Sequence, residues 1–272
     1  MLARLPLHDR FKEFNCKWCA PEGSRLYQFT KKRAAIQRTV ENVLYNPFPR
    51  LRGYFSFQLN NTTREYEYPW CFYATDLRAG MRAVDIGGSL AGFQFVLAKH
   101  GLEVINVDPG LEAHGLGWPV DQRSIGHLNR AFGTNVRLEN CFLQHAKIEA
   151  ASVDRIFSIS VVEHIPTAEI KPLMRKVWEI LKPGGLFIAT VDLFLNIKPF
   201  SSQETNKFGT NIPIPLLTEA APFNLVTGIR SELYGYPEFS VDKCMKQLDK
   251  LLIGRYPTLV QCLVLEKVMN TN

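Results

Sequence analysis

Long apolar runs are missing from this 272-residue chain, although 46% of its residues are apolar. No stretch approaches the roughly 20 consecutive apolar residues that a membrane-spanning helix needs. Residues 1–9 also lack the apolar centre of a secretory signal peptide. The sequence therefore predicts a cytoplasmic protein with no membrane partner. A chain of this length can bury one main core with additions, so we expect one principal domain.

Cysteine is scarce as well, and of the six cysteines only Cys16 and Cys19 form a spaced pair. A structural zinc site needs four ligands, but no second pair follows and His8 offers at most one more. We therefore expect no metal site. Two reduced thiols, as is usual inside the cell, are the simpler interpretation of this pair.

The most informative segment has the pattern of half a nucleotide-binding βαβ unit. An apolar strand carries Asp85 near its end, a turn of Gly, Ser and Ala follows, and residues 93–100 have a helical pattern. Small residues allow the backbone to turn sharply and to approach a ligand, which the amide groups at the start of the helix then face. A second strand ends at Asp108, where a carboxylate can accept hydrogen bonds from both hydroxyls of a ribose.

The pattern of alternating strands and helices continues further along the chain. Residues 152–165 indicate a loop and a buried strand that leads into Glu163 and His164, and residues 171–181 indicate an amphipathic helix. The helix breaker Lys-Pro-Gly-Gly at 182–185 precedes another apolar strand at 186–191. Elements of these lengths favour parallel strands joined by helical crossovers, which is an α/β fold.

Together these landmarks resemble the class I S-adenosylmethionine-dependent methyltransferases. The resemblance spans about residues 68–192 and rests on the two strand-ending acids, Val-Glu-His-Ile at 162–165 and Leu-Lys-Pro-Gly-Gly at 181–185. It implies a doubly wound, mostly parallel seven-stranded Rossmann-like sheet with an antiparallel last strand, S-adenosyl-L-methionine as cofactor and S-adenosyl-L-homocysteine as product. A small-molecule acceptor is the leading hypothesis.

The resemblance also implies a set of cofactor-binding residues. Asp85 and Gly87 would hold the methionine portion, Asp108 the ribose, and Ser160 would lie near the exit of the fourth strand. The full expected set is Asp85, Gly87, Gly88, Ser89, Asp108, Pro109, Phe142, Gln144 and Ser160. For catalysis, His164 is a candidate general base because its ordinary pKa suits neutral pH; the alternative is that Glu163 and His164 brace the turn. His145, Tyr234 and Tyr236 are weaker candidates.

Two departures from the family pattern stand out. Ser89 and Ala91 occupy positions where the family's first motif has glycine, and neither residue adopts positive φ as readily as glycine does. We therefore expect a bound cofactor and a slightly altered loop. The acid that often binds the adenine amino group after the third strand is also missing, and Gln144 and Phe142 are the available substitutes.

Alternative functions remain open. A dinucleotide-dependent dehydrogenase uses a similar first half-unit, but Asp85 and the Pro-Gly-Gly breaker favour a methyltransferase. An RNA or protein methyltransferase would use the basic residues near the N-terminus. The signature Asn/Asp-Pro-Pro-aromatic of many base and amide methyltransferases is missing after the fourth strand, which disfavours a nucleic-acid partner but leaves it as an alternative. A non-catalytic relative that binds the cofactor weakly is a third alternative. The oligomeric state is not predicted.

The chain divides into an N-terminal helical extension or cap at 1–65 and a cofactor-binding domain at 66–272. Residues 23–45 have apolar side chains at helical spacing, which predicts one long amphipathic helix with its bases outward. A strand pair near 53–59, a helix at 240–253 and final strands at 223–228 and 258–268 complete the predicted elements. The aromatic segment 67–73 is expected in the core, with a pocket wall as the alternative. An irregular insertion at about 193–224 is expected to act as a functional lid.

Overall fold

The computed structural model describes residues 1–33, 37, 39–113 and 117–268. Over these residues the chain forms a seven-stranded sheet in the order β3-β2-β1-β4-β5-β7-β6. The strands are β1 Arg82–Ile86, β2 Glu103–Val107, β3 Arg137–Glu139, β4 Val153–Ile159, β5 Leu181–Phe194, β6 Phe223–Thr227 and β7 Thr258–Lys267. β7 is antiparallel to both of its neighbours, whereas the pairs from β3 through β5 are parallel. The predicted fold class is confirmed.

Helices cover both faces of the sheet, as the apolar strands require. They are α1 Asp9–Trp18, α2 Arg25–Lys31, α3 Arg64–Tyr73, α4 Gly92–Lys99, α5 Gln122–Phe132, α6 Thr167–Ile180, α7 Pro215–Thr218 and α8 Val241–Met245. One core packs α1, α3, α4 and α5 against one face, and a second core packs α6 and α7 against the other. The carboxyl ends of β1, β2, β4 and β5 therefore meet at one edge between the two layers.

The N-terminal extension differs from the long helix that was predicted. Helix α2 ends at Lys31, and the described residues 37, 39 and 40 are again helical and lead into a short π-helical turn, Glu41–Tyr45. Part of the predicted helix, residues 34–36 and 38, lies outside the described residues. Tyr27 and Thr30 are buried, and the Thr30 hydroxyl lies 2.8 Å from that of Tyr45. The inward face of α2 is therefore formed by Tyr27 and Thr30, which carry hydroxyl groups, and not by the predicted stripe of apolar side chains.

The remaining predicted elements differ from the structure in their length, in their bounds or in whether they form. No strand forms among the described residues near 53–59, where a 3₁₀ turn Pro49–Arg52 precedes irregular backbone. The predicted helix at 240–253 is shorter, comprising α8 and a 3₁₀ turn Leu248–Lys250. Strand β5 begins directly after α6 and contains the Pro-Gly-Gly sequence, with a register shift against β4 between Val153 and Arg155. This irregularity is how the parallel ladder accommodates a proline, which has no N–H to donate.

Candidate active site

A cavity of about 520 Å³ opens at the carboxyl ends of β1, β2, β4 and β5. All ten residues expected from the sequence to bind the cofactor or act as base line it. They are Asp85, Gly87, Gly88, Ser89, Asp108, Pro109, Phe142, Gln144, Ser160 and His164. Parallel sheets bring such loops together because every parallel strand ends at the same edge. His145 is exposed, and neither Tyr234 nor Tyr236 lines the cavity, so these three weaker base candidates are not placed there.

The turn after β1 contains two residues at positive φ, one of them not a glycine. Gly87 has φ +65° and Ser89 has φ +41°, whereas Ala91 is extended at φ −60° and precedes α4. Two amide side chains hold the strained Ser89, because Gln94 and Asn106 each donate to its carbonyl oxygen at 2.9 Å. Hydrogen bonds from neighbouring side chains therefore stabilise a conformation that glycine would adopt without help.

Gly88 is needed at its position for a different reason. A Cβ atom there would lie 2.8 Å from Asp85 Oδ2 and 2.9 Å from Asn106 Oδ1. Both side chains are buried, and these two oxygens and the Ser89 hydroxyl have no hydrogen-bond partner among the described residues. A buried acceptor without a donor is costly unless a ligand supplies one.

Asp108 is oriented by backbone amides. Its Oδ2 accepts from Ser89 N at 2.8 Å and its Oδ1 accepts from Gly110 N at 2.6 Å. Burial raises the pKa of Asp108 although both amide bonds act to lower it. Each carboxylate oxygen has a second lone pair, so the group can still accept from two hydroxyls of a ligand. This is the arrangement that a ribose requires.

Asp85 is the most deeply buried acid of the cavity wall, with 2% of its surface exposed. Burial, with a smaller contribution from the charge of Asp108, raises the pKa of Asp85 to about 8. In the absence of a cation the carboxyl is therefore mostly protonated near neutral pH. A ligand ammonium beside it would restore the ionised form.

Helix α3 contributes one residue that the sequence did not identify, Arg64, and one, Tyr68, from the aromatic segment whose alternative prediction was a pocket wall. Arg64 and Tyr68 line the cavity. Arg64 is paired with Glu67 and also donates to the Ser160 hydroxyl at 2.6 Å. Glu67 is fully buried and accepts from Ser160 Oγ at 2.7 Å and Thr190 Oγ1 at 2.6 Å. Burial acts to raise the pKa of Glu67, but the Arg64 charge and these hydrogen bonds lower it, so the pair is ionised.

A second pair of buried acids lies where β4 and β5 end. Glu163 Oε1 accepts from the backbone N–H of Asp192 at 3.3 Å, so Glu163 braces the two strand ends. Burial raises the pKa of Glu163 to about 7. Burial and the charges of Glu163 and Glu67 raise the pKa of Asp192 well above its ordinary value. Of these two acids, Asp192 lines the cavity.

His164 lies between this acidic pair and the segment that follows β5. Its Nδ1 is 3.2 Å from the carbonyl oxygen of Phe208. A carbonyl can only accept, so the hydrogen bond assigns the proton to Nδ1 and leaves the lone pair on Nε2. Burial lowers the pKa of His164, which keeps the ring neutral at pH 7. A neutral imidazole held in one tautomer is suited to accept a proton.

Three aromatic rings line this half of the cavity. They come from the end of β5, from the segment that follows it and from the turn before β7. Phe194 and Phe208 are stacked with ring centroids 5.7 Å apart, and Phe208 and Tyr256 are 4.4 Å apart. All three line the cavity. The predicted insertion therefore contributes Phe208 to the wall. Apolar residues scattered over distant loops carry no spacing signal, which is why the sequence did not identify them.

No helix among the described residues has both the length and the apolar character needed to cross a membrane. The same residues contain no group of three His, Cys, Asp or Glu side chains placed to hold a metal ion.

Comparison with known proteins gives one family match. A family model described as a methyltransferase domain matches residues 84–189. A search of curated proteins returns no match.

Many solved structures share the fold. An S-adenosylmethionine-dependent methyltransferase from Mesorhizobium loti is 15% identical, with a TM-score of 0.51 over 74% of this chain and 97% of that one. A geranyl diphosphate methyltransferase in complex with its substrate and sinefungin is 11% identical, with a TM-score of 0.51 over 75% and 79% of the two chains. The [4+2]-cyclase SpnF is 12% identical, with a TM-score of 0.56 over 92% and 99%. At these identities the similarity concerns the fold.

Proposed function

We propose that this chain is a class I S-adenosylmethionine-dependent methyltransferase and that it transfers a methyl group from S-adenosyl-L-methionine to a small-molecule acceptor. The methyltransferase-domain model that matches residues 84–189 supports this proposal. The observation that carries this proposal is the convergence of Asp85, Asp108 and His164 on one cavity. The cofactor supplies an electrophilic methyl group on a sulfonium, so the protein has to align the reactants and accept a proton.

The residues of the cavity fit the cofactor. The unpartnered Asp85 oxygen suits an ammonium group, and the oriented Asp108 carboxylate suits a ribose. Pro109, Phe142 and Gln144 line the part of the cavity next to Asp108, where an adenine ring would lie. Arg64 is the cation of this wall and would face the carboxylate of the methionine portion. S-adenosyl-L-homocysteine, the product, carries the same groups.

The charge of the cavity limits the acceptor. Among the described residues that line it, four are acidic and one, Arg64, is a permanent cation that Glu67 already neutralises. The acceptor half contains Asp192, Glu169 and aromatic rings. A phosphate or carboxylate would find no unpaired cation among the described lining residues there, so its burial beside carboxyl groups would cost binding energy. The acceptor is therefore neutral or cationic, unlike the diphosphate that the geranyl diphosphate methyltransferase holds.

His164 is the proton acceptor in this proposal. Its free Nε2 can take the proton that a hydroxyl or amine loses when it is methylated, because the Phe208 carbonyl fixes the proton on Nδ1. Burial lowers the pKa of His164, so activity should rise as the pH increases through a value below 6.5 and should then stay level. Glu163 holds the adjoining strand ends, which supports a division of roles in which Glu163 is the brace and His164 the base.

Calorimetry with S-adenosyl-L-homocysteine tests cofactor binding. Wild type should bind it and should not bind NADH, and Asp108→Ala should weaken binding by about tenfold to a hundredfold, since two hydroxyl bonds to a charged group are lost. Undiminished binding by Asp108→Ala would refute the assignment of the ribose site. Failure of wild type to bind would refute the proposed cofactor.

Turnover is tested with a panel of neutral and cationic alcohols, phenols and amines. His164→Gln should keep the affinity for S-adenosyl-L-homocysteine and lower kcat by about a hundredfold. If kcat stays unchanged with a substrate that must lose a proton, His164 is not the base. If the protein methylates RNA or protein but no compound of the panel, it is an RNA or protein methyltransferase. If it binds the cofactor but methylates nothing, the interpretation as a non-catalytic relative is favoured.

A further inference from the structure

The N-terminal extension carries a group of large apolar side chains that are exposed over more than a third of their surface. Leu26 and Phe29 on α2 are 47% and 53% exposed, and Val43 on the π-helical turn is 70% exposed. Phe48 and Leu51 nearby are 54% and 37% exposed. Single exposed apolar residues are normal, but a contiguous group marks an interaction surface.

The elements that carry these side chains contact one another, because Ser24 Oγ donates to the Leu51 carbonyl at 2.6 Å and Tyr27 packs against Tyr45. The inward side of α2 consists of Tyr27 and Thr30, whose rings and hydroxyls meet Tyr45 at a centroid distance of 5.5 Å and an oxygen distance of 2.8 Å. Leu26 and Phe29 are three residues apart and lie on another face of the same helix. Val43 is exposed two positions before the buried Tyr45.

The same segment also carries exposed basic side chains. Those that are exposed are Arg25, Lys31, Lys32, Arg33 and Arg50. The Arg33 guanidinium lies 4.2 Å from the centre of the Phe29 ring, so base and apolar residue are adjacent. The one acid in residues 25–52 is Glu41, and Arg52 pairs with it at 2.5 Å. The face therefore keeps an uncompensated positive charge beside its apolar centre.

We infer that this basic apolar face, formed by Leu26, Phe29, Val43, Phe48 and Leu51 with their five exposed bases, docks onto an anionic lipid surface. Such a surface attracts each base electrostatically and accepts the apolar side chains at the depth of the headgroups. The prediction of no membrane partner concerned spanning segments, which peripheral docking does not need.

Two other occupants fit the face less well. A nucleic acid would reward the bases and the rings of Phe29 and Phe48, but it offers nothing to the exposed aliphatic side chains of Leu26, Val43 and Leu51. A second copy of the chain related by twofold symmetry would bring the same five bases face to face, which like charge opposes.

Sedimentation of the full chain with vesicles tests the inference. Wild type should bind phosphatidylcholine vesicles that contain about one third phosphatidylglycerol and bind pure phosphatidylcholine at least tenfold more weakly, with an effect that salt reduces. The double variant Leu26→Ser/Phe29→Ser should weaken binding by tenfold or more, and so should Lys31→Gln/Lys32→Gln.

Matched controls exist elsewhere on the surface. Val226 and Met245 are 53% and 48% exposed, and Val226→Ser/Met245→Ser should leave vesicle binding unchanged. Lys243→Gln/Lys246→Gln is the matched control for Lys31→Gln/Lys32→Gln and should also leave vesicle binding unchanged. All variants should bind S-adenosyl-L-homocysteine as wild type does, which shows that they are folded and separates this test from the proposed function.

Three outcomes would overturn the inference. The first is that wild type does not sediment with anionic vesicles, or that Leu26→Ser/Phe29→Ser sediments as wild type does. The second is binding of a single-stranded RNA oligomer that competes with the vesicles and that the apolar variant retains, which would mark an RNA surface. The third is a lipid-free dimer that the apolar variant dissociates, which would mark a contact between copies.

Discussion

The most direct test of the cofactor assignment is the number of protons that Asp85 releases when the ligand binds. Its pKa of about 8 in the free protein means that only about a tenth of the molecules have it ionised at pH 7. A ligand ammonium that pairs with it needs the ionised form, so binding must expel the proton. An ammonium partner lowers a carboxyl pKa by about one to three units, which predicts the release of roughly half to nine-tenths of a proton at about pH 7.

The same linkage makes affinity depend on pH. If the ammonium lowers the pKa by about two units, the affinity for S-adenosyl-L-homocysteine should rise roughly tenfold between about pH 6 and about pH 7.5. The cost of ionising Asp85 in the free protein is the source of this effect, and one pKa unit corresponds to about 1.4 kcal/mol. Asp85→Asn cannot ionise, so it should lose both the proton release and this share of the pH dependence.

Calorimetry in two buffers with different ionisation enthalpies measures the protons released. 5′-Methylthioadenosine is the matched control ligand, because it keeps the adenosine and lacks the ammonium, and its binding should release no proton from Asp85. Glu163 also titrates near neutral pH. The difference in proton release between wild type and Asp85→Asn therefore gives the protons that come from Asp85 itself. Proton release that is equal in wild type and Asp85→Asn would refute the reasoning.

Stability gives an independent measurement with a defined sign. The folded pKa of Asp85 is about 8 and the ordinary value is 3.8, so its contribution to the free energy of unfolding is lost as the pH rises between these values. At about pH 7 the penalty amounts to about 4 kcal/mol. The difference in unfolding free energy between Asp85→Asn and wild type should therefore grow in favour of the variant from about pH 4 to about pH 8. Urea titrations at several pH values measure it.

Two further substitutions have clear expectations. Gly88→Ala places a Cβ 2.8 Å from Asp85 Oδ2, so it should destabilise the protein by about 1 to 3 kcal/mol. It should also weaken binding of S-adenosyl-L-homocysteine at least tenfold. A variant that binds normally would show that the turn does not contact the ligand. Glu67→Gln leaves Arg64 buried without its partner and should cost about 3 kcal/mol in urea unfolding, whereas Glu179→Gln, in an exposed pair, should cost under about 1 kcal/mol; equal losses would contradict the buried pairing.

The sequence allowed the sheet and the residues of the cavity edge to be predicted because both rest on local patterns. The acid at the end of each strand and the small residues of the first turn are neighbours in the chain, and parallel pairing then brings them together. Arg64 carries no such signal. It reaches the cavity because α3 packs across the sheet and Glu67 finds hydroxyls on Ser160 and Thr190, which are 93 and 123 residues away.

The N-terminal extension shows the opposite case, in which a local pattern pointed to the wrong face. Apolar residues at helical spacing usually face the core, so Leu26, Phe29 and Val43 were expected inside. In the structure Tyr27 and Tyr45 are buried instead, and their side chains keep polar partners. A spacing rule counts apolar residues, but it cannot weigh aromatic residues whose hydroxyls find partners in the interior.

The turn after β1 shows how a serine is held at positive φ, the backbone region that favours glycine. Glycine is favoured at positive φ because other residues pay about 1 to 2 kcal/mol there. Ser89 adopts φ +41° all the same, and its amide donates to Asp108 while two amide side chains donate to its carbonyl. Each such bond contributes about 1 kcal/mol, so together they offset the strain. The substitution is therefore tolerated because the carboxylate that would bind the ribose also holds the turn, and this couples the shape of the loop to the presence of Asp108.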